Sequence, residues 1–215
     1  MKKIKWVFFD IDNTLFDSHK LSTNARKNAV KAMIKAGLNT KPGPAFKKLV
    51  QIVKEYGSNY PGHFDKLVQA YKVPTEKRSR IIAAGIVEYH NTKFKLLKPF
   101  SGVKSTLKRL GMMGYGLGII TNGRATKQWD KLIRLNVSKC FDIVIISEEV
   151  RAEKPSKKIF RIALKKAKCK ASEAVMIGDK PEDMAAKKVG MRTIMFKGRK
   201  FSRLVNEIKK IEKKK

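Results

Sequence analysis

The chain has 215 residues, 42% of them hydrophobic, which suits one domain or a core with a smaller insertion and excludes global disorder. Lysine and arginine number 50 against 18 aspartates and glutamates, a formal net charge of +32. The two cysteines form no CxxC pair and histidine occurs three times, which argues against a disulfide framework and a Cys/His zinc site and makes a reducing cytoplasm the expected compartment.

Residues 6–10, WVFFD, form a short apolar run predicted as a buried strand. The three lysines before it and the acids Asp10 and Asp12 after it are unlike a secretory h-region. About a hundred residues separate this strand from the next strand pattern, where a right-handed crossover needs only about a dozen. The intervening stretch is helical by pattern. Ser22 or Thr23 is expected to cap a helix carrying Ala29, Val30, Met33 and Ile34 and ended by Gly37. Pro44 is expected to open a second, with Phe46, Leu49, Val50 and Val53, ended by Gly57. Phe64, Leu67, Val68 and Tyr71 mark a third, and Pro74 opens a fourth that holds Ile81, Ile82 and Tyr89 and runs toward Pro99. Residues 16–97 therefore read as a small helical bundle inserted into a domain made of 1–15 and 98–215.

Beyond the insertion, brief β-branched runs at 117–121, 142–146, 175–178 and 193–196 are predicted strands. Helical stripes lie between the predicted elements: Val103, Leu107 and Leu110; then Leu132, Ile133 and Leu135; then Ile159, Phe160, Ala163, Leu164 and Ala167. This alternation predicts an α/β fold, a parallel sheet with helices on both faces. The longest apolar stretches, such as 143–146, are too short to cross a bilayer, so no membrane association is expected. The basic end, 208–215, is expected to fray.

The positive charge has two readings. One is a polyanion partner; the other is a lysine-solvated surface. The lysines are scattered rather than gathered into one motif, so binding to nucleic acid is expected to be weak, non-specific and lost at moderate salt. In a chain so poor in acids, the carboxylates that remain carry information. An open parallel sheet presents ligand-binding residues at the carboxyl ends of its strands. There this sequence has Asp10 and Asp12, then Thr121-Asn122-Gly123, then Asp179. Hard oxygen donors of this kind suit Mg²⁺. Lys154, expected with Pro155 at a helix start, is a candidate fixed cation. Plainer roles compete with each: a strand-end turn for Asp10, a turn or cap for Thr121, a surface position for Lys154, a first-turn acid for Asp183. Lys180, beside Asp179, has two readings: approach to an anionic substrate, or solvent exposure. His19, His63 and His90 are expected in loops or packing, Trp129 in helix packing, and Cys140 and Cys169 as inert thiols.

These residues fall into four short motifs. Phe9-Asp10-Ile11-Asp12-Asn13-Thr14-Leu15 resembles the DxDx(T/V) first motif of the haloacid dehalogenase superfamily. Ile120-Thr121-Asn122-Gly123 is similar to its second motif. Lys154-Pro155-Ser156-Lys157-Lys158-Ile159-Phe160 resembles the third, KPxPxIF, with Lys157 where proline is common. Gly178-Asp179-Lys180-Pro181-Glu182-Asp183 resembles the fourth, GDxxxD. All four occur in the family's order and together span the chain. The helical insertion after the first motif is similar to the C1 cap of subfamily I. Ser58-Asn59-Tyr60-Pro61 and Tyr89-His90 resemble archaeal members.

The resemblance implies a Rossmann-like core, a helical cap that closes over the crevice, and a Mg²⁺-dependent phosphohydrolase acting on a small phosphorylated metabolite. It implies Asp10 as the nucleophile that forms an aspartyl-phosphate and Asp12 as general acid and base. Asp10, the Asp12 carbonyl and Asp179 would hold the metal. Thr121, the Asn122 amide and Lys154 would bind phosphoryl oxygens, and Asp183 would orient metal waters or Lys154. Rival readings on the same fold are a 2-haloacid dehalogenase, against which Asp12 argues, a phosphonatase, which needs a Schiff-base lysine in the cap, and a phosphomutase. A non-catalytic polyanion-binding protein is the rival from another class.

Overall fold

In the computed structural model, which describes residues 3–198 and 200–213, the WVFF run is strand β1 (Trp6–Phe9). Four helices follow: α1 (Ser18–Lys35), α2 (Pro42–Tyr56), α3 (His63–Ala70) and α4 (Thr75–Leu96). Then come α5 (Val103–Met112), β2 (Gly116–Thr121), α6 (Ala125–Arg134), β3 (Ile143–Ile146), the short α7 (Ser147–Val150) and α8 (Lys157–Lys166). The chain ends with β4 (Ala174–Gly178), the short α9 (Pro181–Met184), β5 (Arg192–Met195) and α10 (Leu204–Lys213). It divides into two compact units, Met1–Asp17 with Lys98–Lys215, and Ser18–Leu97.

In the first unit the strands lie in the order β3-β2-β1-β4-β5, all parallel. Phe9 is opposite Ile119 on one side and Ile177 on the other, so the carboxyl ends of β1, β2 and β4 lie nearly level. Successive side chains point to opposite faces. Phe8 packs with Ile120, Ile145 and Met176 against Ile159, Phe160 and Ala163 of α8. Phe9 faces the other way and meets the rings of Phe141 and Phe201. A strand covered on both faces has no polar alternation to show, which is why its sequence is a continuous apolar run. Of the stripe expected on α6, Leu132 and Leu135 are buried while Ile133 is exposed. Helical periodicity alone does not separate adjacent apolar residues at the edge of a face.

The chain's end differs from expectation. Instead of fraying, α10 buries Leu204, Val205 and Ile208. Its Glu212 accepts hydrogen bonds from the Ile4 N–H at 3.2 Å and the Tyr115 hydroxyl at 3.1 Å. Burial, with Glu212 adding to it, pushes the Tyr115 hydroxyl up to about 12. The high lysine content hid the apolar spacing 204, 205, 208. Residues 214 and 215 of the expected frayed end lie outside the described residues.

The second unit has its own core, built from Val30, Met33, Leu49, Ile52, Leu67, Val68 and Ile81 among others. Gly85 lets α4 approach α1 so closely that an added Cβ would collide with Met33. The Asn28 amide donates to the Thr92 hydroxyl, which donates to Glu88, tying α1 to α4 at one register. Helix α1 begins at Ser18 rather than at Ser22 or Thr23. Ser22 Oγ donates to the His19 carbonyl within the helix, and Leu21 and Ala25 extend the buried stripe backwards. Helix α2 begins at Pro42 rather than Pro44. Both prolines fit the first turn, where N–H groups have no intrahelical acceptor. Among the described residues, no helix is long and apolar enough to cross a membrane.

Candidate active site

The carboxyl end of β1 delivers Asp10, whose N–H still pairs with the Ile177 carbonyl at 2.9 Å as if the strand continued. The side chain is 8% exposed. Beyond it the chain turns sharply: Asn13 has a positive φ of 56°, a conformation asparagine tolerates better than most residues, and Leu15 N–H bonds back to the Ile11 carbonyl. Thr14 is fully buried in this turn, and its hydroxyl has no hydrogen-bond partner among the described residues.

The carboxyl end of β4 delivers Gly178 and Asp179, and α9 brings Asp183 back beneath them. A Cβ on Gly178 would fall onto the Asp183 carboxylate, so glycine is required for this close approach. Asp183 is fully buried and its Oδ2 accepts from the Lys180 N–H at 3.0 Å. Carboxylate oxygens of Asp10, Asp179 and Asp183 lie within 4.8 Å of one another.

Lys154 enters this cluster from the loop before α8. Its Nζ donates to Asp10 Oδ1 at 2.7 Å and to Asp183 Oδ1 at 2.5 Å, with the side chain 1% exposed. It is not at a helix start as expected. Ser156 is the N-cap of α8, its hydroxyl accepting from Lys158 N–H, and Lys154 lies two residues before the cap. The Asn122 side chain fixes that loop. Its Oδ1 accepts from Lys154 N–H at 2.8 Å and its Nδ2 donates to the Lys154 carbonyl at 2.9 Å. Thr121, 1% exposed, ends β2 beside it. The turn that follows is held by Ser147, whose hydroxyl accepts from Gly123 N–H at 2.9 Å, and by Glu148, which accepts from Ala125 N–H at 2.8 Å.

Two carboxylates on one ammonium, with the Asp179 carboxylate close beside them, leave excess negative charge in a water-poor place. Burial pushes Asp10 up to about 6, against the pull of Lys154 and with help from Asp183 and Asp12. Burial alone would lower Lys154, but Asp10 and Asp183 outweigh it and hold the lysine above its ordinary value. Burial also raises Asp179, partly offset by a hydrogen bond from Asn13. Oδ1 of Asp179 is buried with no hydrogen-bond partner among the described residues. An orphaned carboxylate oxygen amid surplus negative charge and all-oxygen donors is the chemistry a hard divalent cation fits.

Asp12 stands apart from this cluster. Its Oδ2 accepts from Lys131 Nζ at 2.6 Å, and Lys131 also donates to Gln128 Oε1 at 3.1 Å. Gln128, 4% exposed, donates in turn to the Asn122 carbonyl at 3.1 Å. Sequence reasoning passed over Lys131, Gln128 and Asn13. The first two share a face of α6 at i, i+3, just after the Thr121 strand end, but one lysine among so many does not stand out. Lys180 is exposed, the second of its two readings. Of the histidines, His63 Nε2 lies 2.9 Å from the Gly57 carbonyl and His90 packs edge-on against Tyr89. Trp129 is half-buried and reaches Glu149. Burial and Glu173 push the Cys169 thiol up to about 11, which suits an inert thiol.

A family model described as haloacid dehalogenase-like hydrolase matches residues 7–196. The chain belongs to that family. A glyceraldehyde 3-phosphate phosphatase of Pyrococcus furiosus is 44% identical to this hydrolase over 211 residues, covering 97% of the chain and 87% of the relative. Among solved structures, a candidate β-phosphoglucomutase from Thermotoga maritima matches with a TM-score of 0.73 at 19% identity, covering 96% of this chain and 99% of that one. A family hydrolase from Bacillus subtilis solved with bound magnesium matches with a TM-score of 0.63 at 18% identity, over 91% of this chain and 87% of that one. These structural likenesses are of fold. The sheet order, the helical unit between β1 and β2, and the strand-end acids all belong to a haloacid dehalogenase-like hydrolase.

Proposed function

We propose that this hydrolase removes the phosphoryl group from a small phosphorylated metabolite, with glyceraldehyde 3-phosphate as the substrate to test first. The observation that carries the reading is the cluster of buried Asp10, Asp183 and Lys154 with the half-buried Asp179 and its orphaned oxygen. The 44% identical phosphatase supplies the substrate class.

In this reading Lys154 holds Oδ1 of Asp10, and Oδ2 attacks phosphorus in line. The P–O bond to the substrate oxygen breaks as the aspartyl-phosphate forms, and Asp12 gives that oxygen a proton. Asp12 then takes a proton from water, the water oxygen bonds to phosphorus, and phosphate leaves with Asp10 regenerated. The Thr121 hydroxyl, the Asn122 main-chain N–H and Lys154 face the phosphoryl oxygens, where charge spreads in the transition state. Asp10, the Asp12 carbonyl and Asp179 would hold Mg²⁺, with Asp183 orienting Lys154. When bound, the ion supplies the positive charge that lets carboxylates and a phosphoryl group share one site.

The test is a panel of phosphorylated metabolites and 2-haloacids, each assayed for phosphate and halide release with Mg²⁺ and with chelator. Phosphate release from triose phosphates that stops on chelation is expected. Full activity after thorough chelation, or halide release with no phosphate release, overturns the reading.

The acid cluster also sets a pH dependence. Asp10 is raised from 3.8 to about 6. Between these values the folded state binds more protons than the unfolded state, so this carboxyl's contribution to stability is full below about pH 4 and is lost as pH rises through 6. A bound cation favours the ionised form and removes the loss. Melting temperatures with and without Mg²⁺ are therefore expected to diverge as pH rises through 6. Parallel curves from pH 4 to 8 would contradict the charge arrangement.

A further inference from the structure

We infer that Lys131 is a positioning residue for Asp12, holding its carboxylate in place through a relay of contacts anchored on the end of β2. The inference rests on the reading of Asp12 as proton donor to the leaving group. The relay is continuous in the structure. The Asn122 carbonyl, at the end of β2, accepts from Gln128 Nε2 at 3.1 Å. Gln128 Oε1 accepts from Lys131 Nζ at 3.1 Å, and the same ammonium donates to Asp12 Oδ2 at 2.6 Å. Gln128 is 4% exposed, so its amide is fixed by packing as well as by hydrogen bonds. The Lys131 and Asp12 side chains are 19% and 28% exposed, an intermediate setting.

Two features set this pair apart from the scattered surface lysines. Its partner is a residue of the nucleophile turn, two positions from Asp10, and its second contact links it to the strand end that also carries Thr121 and Asn122. A partly exposed ion pair adds little to stability. Its worth lies in geometry. The turn after β1 fixes the Asp12 backbone, but a side chain with rotatable bonds needs a second anchor to present its oxygen reproducibly, and small misplacement of a reacting group is costly in rate.

The experiment compares the wild type, Lys131→Met, Lys131→Arg and Asp12→Asn with saturating Mg²⁺. The substrates are nitrophenyl phosphate and the alkyl phosphate turned over fastest in the metabolite panel. An alkoxide needs a proton to leave; a nitrophenolate does not. Lys131→Met is expected to lower single-turnover rates on the alkyl phosphate by about a hundredfold. The drop on nitrophenyl phosphate should be far smaller, and the melting temperature nearly unchanged. Lys131→Arg, which keeps a charged donor, is expected to recover part of the alkyl rate. Asp12→Asn should show the same selectivity more strongly. If Asp12→Asn is selective and Lys131→Met slows both substrates equally, or neither, the positioning role falls while the phosphohydrolase reading stands. If Asp12→Asn itself is unselective, the proton-donor assignment falls and the Lys131 inference with it.

Discussion

Replacing Asp10 with Asn is expected to lower turnover by a factor on the order of 10⁴ to 10⁶, the scale on which removing a nucleophile acts. The substitution is nearly isosteric. Its carbonyl oxygen still accepts from Lys154, in the place of the Oδ1 now 2.7 Å away, so the local structure is retained. What is lost is the carboxylate that forms the bond to phosphorus. The variant also relieves repulsion, because one of the two carboxylates bonded to the Lys154 ammonium becomes neutral while Asp183 stays paired with it. Asp10→Asn is accordingly expected to be at least as stable as the wild type in chelator while being inactive with Mg²⁺. Two measurements check this: phosphate release, and intact-mass analysis of acid-quenched reactions. The latter should find a phosphoryl adduct on the wild type and none on the variant. Residual activity within a few-fold of wild type would remove Asp10 from the nucleophile's role.

Lys154→Met is expected to cost both stability and rate. Lys154 is 1% exposed on its side chain and bonds Asp10 and Asp183 at once. Removing one partner of a buried pair leaves the other charged and unpaired, typically at a cost of about 3–5 kcal/mol. Urea titration in chelator reads this directly. Adding Mg²⁺ should return part of the loss, since ligand binding to the folded state stabilises it. The double variant Asp10→Asn/Lys154→Met should be less damaged than the sum of its parts, because the two residues touch. Activity should fall by about a hundred- to a thousandfold even where the fold is retained, the scale of removing one charge-stabilising donor. A Lys154→Met protein of wild-type stability would show that the cluster is not held together by this ammonium.

The sheet was legible because its strands are short, β-branched and apolar on both faces; the predicted and observed strands agree to within a residue or so at each end. The helices of the insertion were legible in number and order but less so in their starts. Proline and serine mark where a helix can begin, while the structure begins α1 and α2 as early as burial of Leu21 or first-turn tolerance of Pro42 allows. The buried end of α10 was missed for the opposite reason: three apolar residues among lysines form too weak a stripe, and the Glu212 contacts that secure it come from residues far away in sequence.

By itself the sequence determined which residue types stand at the strand ends: two aspartates two apart, a Thr-Asn-Gly, a Lys-Pro and a Gly-Asp. These are local patterns, because a strand's length and its final residues are written in consecutive positions. Only the tertiary structure decided who meets whom. Lys154, 144 positions from Asp10, becomes its bonded partner because the Asn122 side chain grips the Lys154 backbone from both sides. Lys131 acquires its place because α6 projects it onto the Asp12 turn, while chemically identical neighbours point to solvent. A lysine's role depends on which carboxylate lies within about 3 Å of it, and that separation is set by the parallel register of the sheet and the loops at its carboxyl edge.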